Sequence, residues 1–165
     1  MSKRCLLALA AAALVSGCSL PAHWRGEQTK RDIFLNLMSP EQAAVFQQME
    51  ADQKDDELLL LYCQETGVYQ KWKAALPERQ KLIRKRQVAE GMSPDEVRMA
   101  WGAPAKVEDA TTESDRQRGR ARTVWLFDGT ISRDGSVEYR RQAVFLDEKL
   151  VEFKPSAGKP RPWFR

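Results

Sequence analysis

The chain has 165 residues, of which 42% are hydrophobic and 30% are charged, the proportions of an ordinary globular protein. A chain of this length buries a sizeable core without disulfide bonds. Lys3 and Arg4 lie in a segment expected to be removed. Without them, 25 basic residues stand against 23 acidic ones, a net charge of +2. This balance argues against the concentrated basic face of a nucleic-acid-binding protein, so we expect no nucleic-acid partner.

The first seventeen residues have the pattern of an export signal. Met1–Arg4 is short and positively charged, and the apolar run Leu6–Val15 is shorter than the roughly 20 residues that cross a bilayer. Val15-Ser16-Gly17-Cys18 then resembles the lipobox of bacterial lipoproteins, in which the cysteine takes a diacylglycerol and becomes the first residue. Val15 stands where leucine is usual. We therefore predict a signal peptide over residues 1–17 and attachment to the membrane through lipid on Cys18. Ordinary secretion, with cleavage among the alanines, is the alternative.

The residues after Cys18 indicate where the anchored protein would reside. Ser19 takes the place of the aspartate that resembles an inner-membrane retention signal in such lipoproteins. We therefore expect the outer membrane, with the chain lipid-anchored on its periplasmic side. Residues 18–31 show no periodicity and predict a tether.

The chain offers few residues for catalysis or metal binding. The only histidine, His23, lies in the predicted tether, which argues against a Ser-His or Cys-His pair and a histidine-based metal site. Cys63 has no partner for an internal disulfide, and a buried inert thiol is favoured over a reactive one. The acidic segment 52–57 lacks the spacing of a calcium loop and predicts a solvated turn. We expect no enzyme activity, no catalytic or metal-binding residue and no cofactor.

Residues 32–90 are predicted to be helical. Ser39, followed by Pro40 and Gln42, is typical of a helix start. The basic run Lys81–Arg86 could meet anionic lipid headgroups, although a solvated helix face is the favoured interpretation. Apolar residues at three- and four-residue steps predict one buried face that Gly67 can interrupt. That face would consist of Leu58, Leu61, Tyr62, Tyr69, Trp72 and Leu76.

Residues 91–155 predict a short helix followed by an antiparallel sheet. Ser93-Pro94-Asp95-Glu96 is a capping box, and Gly102 and Pro104 end the helix that it starts. Alternating apolar residues predict strands over 123–127, 137–145 and 150–153, with a further strand at 106–108. Turns are predicted at Asp134-Gly135 and Asp147-Glu148-Lys149, and a mobile loop over 111–122. The predicted fold class is α+β, with helices packed on a three- to four-stranded antiparallel sheet.

Four segments of this region form a further pattern: GMSPDEV at 91–97, WGAP at 101–104, VWLF at 124–127 and AVFLDEKLV at 143–151. Together they resemble the outer-membrane assembly lipoprotein family BamE, also called SmpA or OmlA. The resemblance covers about residues 90–153 plus the lipobox. It implies a small two-layer fold and a non-enzymatic role in an envelope complex that inserts β-barrel proteins. The helical region 32–90 is longer than the short helical lead-in of small family members.

The Pro-rich basic tail, residues 156–165, supplies the candidate partner contacts Trp163, Phe164 and Arg165, because exposed aromatics beside arginine are typical interface anchors. A frayed terminus explains them equally well. The loop 111–122 is a further candidate. The sequence thus favours a scaffold or interaction module that contacts envelope proteins, including a β-barrel assembly complex. The alternative is an envelope hydrolase or an enzyme inhibitor on a similar small fold.

Overall fold

We describe residues 27–132 and 136–154 of a computed structural model. Within these ranges, six helices are followed by a four-stranded antiparallel sheet, with a seventh short helix between the first two strands. This confirms the predicted α+β class and the packing of helices on a three- to four-stranded sheet. No helix within the same ranges combines the length and hydrophobicity that crossing a bilayer requires.

The helices are short and depend on their caps and on tertiary packing more than on intrinsic propensity. Four of the seven described helices begin with a reciprocal capping box. The boxes at Ser39 and Ser93 are the two that the sequence predicted. The helices are α1 Lys30–Leu37, α2 Pro40–Ala51, α3 Asp56–Glu65, α4 Val68–Ala74, α5 Pro77–Arg84, α6 Pro94–Trp101 and α7 Glu113–Gln117.

The folded domain begins earlier than predicted. The predicted tether was to end at residue 31, but α1 already begins at Lys30. Thr29 caps α1, and Gln28 is only 4% exposed. The Gln28 amide donates to the carbonyl oxygens of Ile83 at 2.8 Å and Ala100 at 2.9 Å, which ties the start of α1 to α5 and α6. An eight-residue helix is too short to show apolar periodicity, which is why its start was assigned to the tether.

The predicted single apolar face over 58–76 is also wrong. Leu58, Leu61 and Leu76 are 43%, 48% and 53% exposed. Gly67 has φ +75°, a left-handed conformation that glycine adopts without steric cost, and it separates α3 from α4. The change of direction breaks the helical phase, so the two helices bury different faces. The buried side chains of α3 and α4 are Cys63, Val68 and Trp72.

The sheet is a meander in the order β1-β2-β3-β4. Its strands are β1 Lys106–Asp109, β2 Arg122–Ile131, β3 Val137–Leu146 and β4 Lys149–Lys154. Ile131 pairs with Val137 across the first hairpin, whose predicted turn at 134–135 lies outside the described residues. Leu146 pairs with Lys149 around Asp147 and Glu148, which have φ +50° and +60°. Positive φ at both central residues is the mark of a type I′ hairpin turn, so the second predicted turn is confirmed.

The segment 111–122 was predicted to be a mobile loop, and this prediction is wrong. Its centre is α7, and Asp115 is only 3% exposed. The Asp115 carboxylate accepts from Arg122 Nε at 3.0 Å and from Thr112 Oγ1 at 2.8 Å. These bonds, from Arg122 above all, lower the pKa of Asp115 to about 2. The ion pair fastens α7 to the start of β2.

The core lies between the helices and one face of the sheet. Side chains at alternate positions of β2, β3 and β4 point toward the helices. The ring centroids of Trp125 and Phe145 lie 4.9 Å apart on that face. The fully buried core side chains include Ile33, Ile83, Met92, Val97, Met99, Phe127, Phe145 and Leu150.

Candidate functional site

An open groove of about 450 Å³ lies where the end of α5 meets the helix-facing side of the sheet. Its volume is within the range of cavities that bind small ligands or the anchor side chains of a partner. Apolar side chains form most of its walls, and two arginines stand at its rim. The lining residues are Leu82, Arg86, Gln87, Val88, Ala89, Trp101, Arg141 and Phe153.

Trp101 forms the base of the groove and joins its three parts. It is the last residue of α6, and Gly102, with φ +86°, turns the chain away from the helix. Trp101 Nε1 donates to the carbonyl oxygen of Arg86 at 3.0 Å. Its ring centroid lies 5.3 Å from that of Phe127 and 6.5 Å from that of Phe153, both in a T-shaped arrangement. Because Trp101 is only 8% exposed, most of its ring belongs to the core, and a thin edge faces the groove.

Arg141 forms the sheet side of the groove. Its guanidinium carbon lies 5.1 Å from the ring centroid of Trp101 and 5.6 Å from that of Phe127, within the range of a cation–π interaction. Nη2 donates to Asp128 Oδ1 at 2.7 Å, and Nε donates to the other carboxylate oxygen. Asp128 has φ +54°, a conformation that aspartate tolerates better than most residues. The guanidinium is therefore held in one place by two aromatic faces and a bidentate ion pair.

Sequence reasoning did not select Arg141. The available signal was its position in β3, where it shares a face with Ala143 and Phe145, both of which are buried. A cation among inward-pointing apolar residues needs a partner, and a strand pattern does not name that partner.

A cluster of cations lies beside the groove. Lys81, Arg84, Lys85 and Arg86 are all exposed, as the solvated-face interpretation expected. None of them takes part in an ion pair within residues 27–132 and 136–154. Four unpaired positive charges next to an apolar groove create a local field that favours an anionic ligand.

A second cavity, of about 310 Å³, holds charged groups that already have structural roles. Glu96 accepts from Arg79 Nη1 at 2.7 Å and from the backbone N–H of Ser93 at 2.7 Å, so it both pairs with a cation and caps α6. Asp95 pairs with Lys71 at 3.1 Å. The ion pairs join α4, α5 and α6 at this cavity.

The remaining predicted site residues fall into two groups. Cys18, His23, Trp163, Phe164 and Arg165 lie outside the described residues. Cys63 and the acidic segment 52–57 are within them.

Cys63 is 1% exposed, and burial raises the pKa of its thiol to about 11. The thiol is therefore protonated at neutral pH and a poor nucleophile, which supports the inert interpretation. In the segment 52–57, Asp55 caps α3 by accepting the N–H of Leu58 at 2.9 Å. Within the described ranges, no group of three His, Cys, Asp or Glu side chains could hold a metal ion.

Comparison of the chain with protein-family models, with curated proteins and with solved structures returns no match.

Proposed function

We propose that the protein is an outer-membrane lipoprotein, anchored on the periplasmic side through lipid on Cys18, whose domain binds a protein partner of the cell envelope. It acts as a scaffold or interaction module and not as an enzyme. The observation that carries the proposal is the groove between α5 and the sheet, with its apolar walls, its fixed Arg141 and its neighbouring unpaired cations. The resemblance of residues 90–153 to the BamE family connects the module to the assembly of outer-membrane β-barrel proteins.

The chemistry of the groove indicates what the partner presents. An apolar anchor would bury its side chain against Leu82, Val88 and Phe153, and binding energy at protein interfaces is concentrated in such anchors. A carboxylate next to that anchor would lie near Arg86 and the cations of α5. The partner segment is therefore expected to be acidic, with one or more large apolar side chains. Because Trp101 and Arg141 are already held in place, binding would cost little side-chain ordering.

The alternative of an envelope hydrolase finds less support in the described residues. A hydrolase would need carboxylates free to exchange protons in a cavity. The carboxylates of the second cavity, Asp95 and Glu96, are each ion-paired, and Glu96 is also a helix cap. The groove itself is lined by no carboxylate of the described residues.

The anchor is tested by intact mass spectrometry of the membrane fraction. We expect a chain that begins at Cys18 and carries two or three acyl chains. Each methylene group that these chains bury in the bilayer contributes about 0.8 kcal/mol to membrane binding, so the anchor is stable. Cys18→Ala should move the protein out of the membrane fraction. An unmodified chain that begins elsewhere would show that Val15-Ser16-Gly17-Cys18 is not processed as a lipobox.

The groove is tested by placing a photo-crosslinking amino acid at Gln87, an exposed residue of its lining. We expect an adduct with an envelope protein in living cells. The matched control is the same amino acid at Gln117, an exposed glutamine on α7. The triple reversal Arg84→Glu, Lys85→Glu and Arg86→Glu should reduce the Gln87 adduct several-fold. Equal adducts at both positions, or none at Gln87, would remove the groove as the binding site.

A further inference from the structure

The end of α5 has a positively charged side that the groove does not use. Lys81, Arg84 and the C-cap Lys85 are spaced by three and four residues, so they lie on one side of the helix. All three are exposed, whereas Leu82 and Arg86 line the groove. We call Lys81, Arg84 and Lys85 the α5 stripe. It lies outside the part of the chain that resembles the BamE family.

The α5 stripe has no neutralising partner among the described residues. None of its three cations takes part in an ion pair within residues 27–132 and 136–154. The helix itself contains one carboxylate, Glu78, in its first turn. Three clustered cations against one carboxylate leave a net positive surface, which attracts an anionic one.

The start of the folded domain lies directly against the α5 stripe. The backbone N–H of Gln28 donates to the carbonyl oxygen of Arg84 at 2.6 Å, and its side-chain amide donates to that of Ile83 at 2.8 Å. Cys18, the proposed site of the lipid, is ten residues before Gln28 and therefore at most about 36 Å from it. The chain that comes from the membrane thus enters the domain beside the stripe, on the side that the anchor keeps within this distance.

We propose that the α5 stripe binds the anionic lipid headgroups of the membrane that holds Cys18, an inference that rests on the anchor of the proposed function. Lysine and arginine attract anionic headgroups, and each such cation near the surface strengthens binding about five-fold. Because the lipid already keeps the domain at the membrane, the stripe meets the headgroups at a high effective concentration. Three cations then orient the domain without having to hold it at the membrane alone. The groove, which includes Arg86, opens next to this surface.

The α5 stripe is tested with the full-length protein, purified from membranes with its lipid and reconstituted into vesicles. Gln87→Cys, at an exposed position, takes a donor fluorophore, and a trace of headgroup-labelled lipid is the acceptor. The buried thiol of Cys63, whose pKa is raised to about 11, should not react with the label. We expect energy transfer to rise about two-fold when phosphatidylcholine vesicles are replaced by vesicles that contain one third phosphatidylglycerol. High salt should abolish the rise, because it screens the attraction.

Charge removal provides the second readout. Lys81→Gln, Arg84→Gln and Lys85→Gln together should return the energy transfer to its value in phosphatidylcholine vesicles. The matched control removes three exposed cations from other elements and should leave the rise unchanged. Its substitutions are Arg118→Gln, Arg140→Gln and Lys149→Gln. Inorganic phosphate should act no more strongly than chloride at equal ionic strength, and a stronger effect would show a site for free phosphate and overturn the proposal.

The failure of this proposal is distinguishable from that of the proposed function. No rise with phosphatidylglycerol, or an equal rise in the stripe variant, would overturn the membrane contact and leave the anchor and the groove in place. The α5 cations would then face solvent or an acidic partner segment. A protein that intact mass spectrometry shows to lack lipid on Cys18 would overturn the contact together with the anchor.

Discussion

At the scale of single residues, Trp101 links α6, the segment after α5 and the sheet. Trp101→Ala should lower the free energy of unfolding by about 3–5 kcal/mol, because it leaves a cavity beside Phe127 and Phe153. It also leaves the carbonyl of Arg86 without its donor. Denaturant titration measures the loss. Trp101→Phe keeps part of the ring packing and should cost less. An unchanged midpoint for Trp101→Ala would mean that the ring contributes no packing energy.

Asp115 makes stability depend on pH at the acidic end. Arg122 and Thr112 lower the pKa of its carboxyl to about 2 in the folded protein, below the ordinary 3.8. A lowered folded-state pKa means that the charged form stabilises the fold above pH 3.8 and that this contribution is lost as pH falls toward 2. Asp115→Asn should therefore be less stable than the wild type near neutral pH. The gap should close between about pH 4 and 2. Unfolding curves at several pH values test this, and a gap of constant size would contradict it.

The candidate site shows what sequence reveals about single residues. The helix that ends at Trp101 was predicted from Ser93, Gly102 and Pro104, and Trp101 itself is 8% exposed. Its place at the base of a groove depends on Arg86 and Phe153, which approach from distant parts of the chain. Arg141 was missed because its partners are Asp128, which has a left-handed backbone, and two rings on other elements. Contacts of this kind leave no local pattern.

At the scale of elements, the helix starts that were predicted are those with the strongest local chemistry. Ser39 and Ser93 each precede a proline and have Gln or Glu three residues later. The boxes at Thr29 and Thr112 have aspartate at that third position and no proline, and they begin helices of eight and five residues. Such short helices show no periodicity, so the first two residues of α1 were assigned to the tether and α7 to a loop.

Gly67 sets the angle between α3 and α4. Gly67→Ala should lower the free energy of unfolding by about 1–2 kcal/mol, because a left-handed backbone places Cβ too close to the carbonyl oxygen. The Cβ of alanine would meet no other part of the described chain within 4 Å, so backbone strain alone is measured. Gly67→Asn should be tolerated better, since asparagine enters this conformation more readily. Thermal or denaturant unfolding of both variants tests the prediction. If both variants were as stable as the wild type, the prediction would be contradicted.

At the scale of the whole molecule, the sheet was more predictable than the helical layer. The meander follows from turns between consecutive strands, and a turn is a local event: Asp147 and Glu148 decide it by their own backbone angles. The helical layer depends on which face each helix buries. That choice changes at Gly67, and it also depends on Gln28, which bonds to residues more than fifty positions away. Only the assembled fold shows that α3 keeps leucines exposed.

Truncation after Ser156 tests whether the C-terminal tail serves partner binding or the fold. It removes Trp163, Phe164 and three cations but leaves β4 whole through Lys154. The free energy of unfolding should therefore change by less than about 0.5 kcal/mol, the usual effect of a change outside the core. Recovery of envelope partners in a pull-down from solubilised membranes should weaken, because the truncation removes the candidate contacts Trp163, Phe164 and Arg165. Equal recovery with the truncated protein would remove the tail from consideration. A large loss of stability would instead show that Trp163 and Phe164 pack on their own domain.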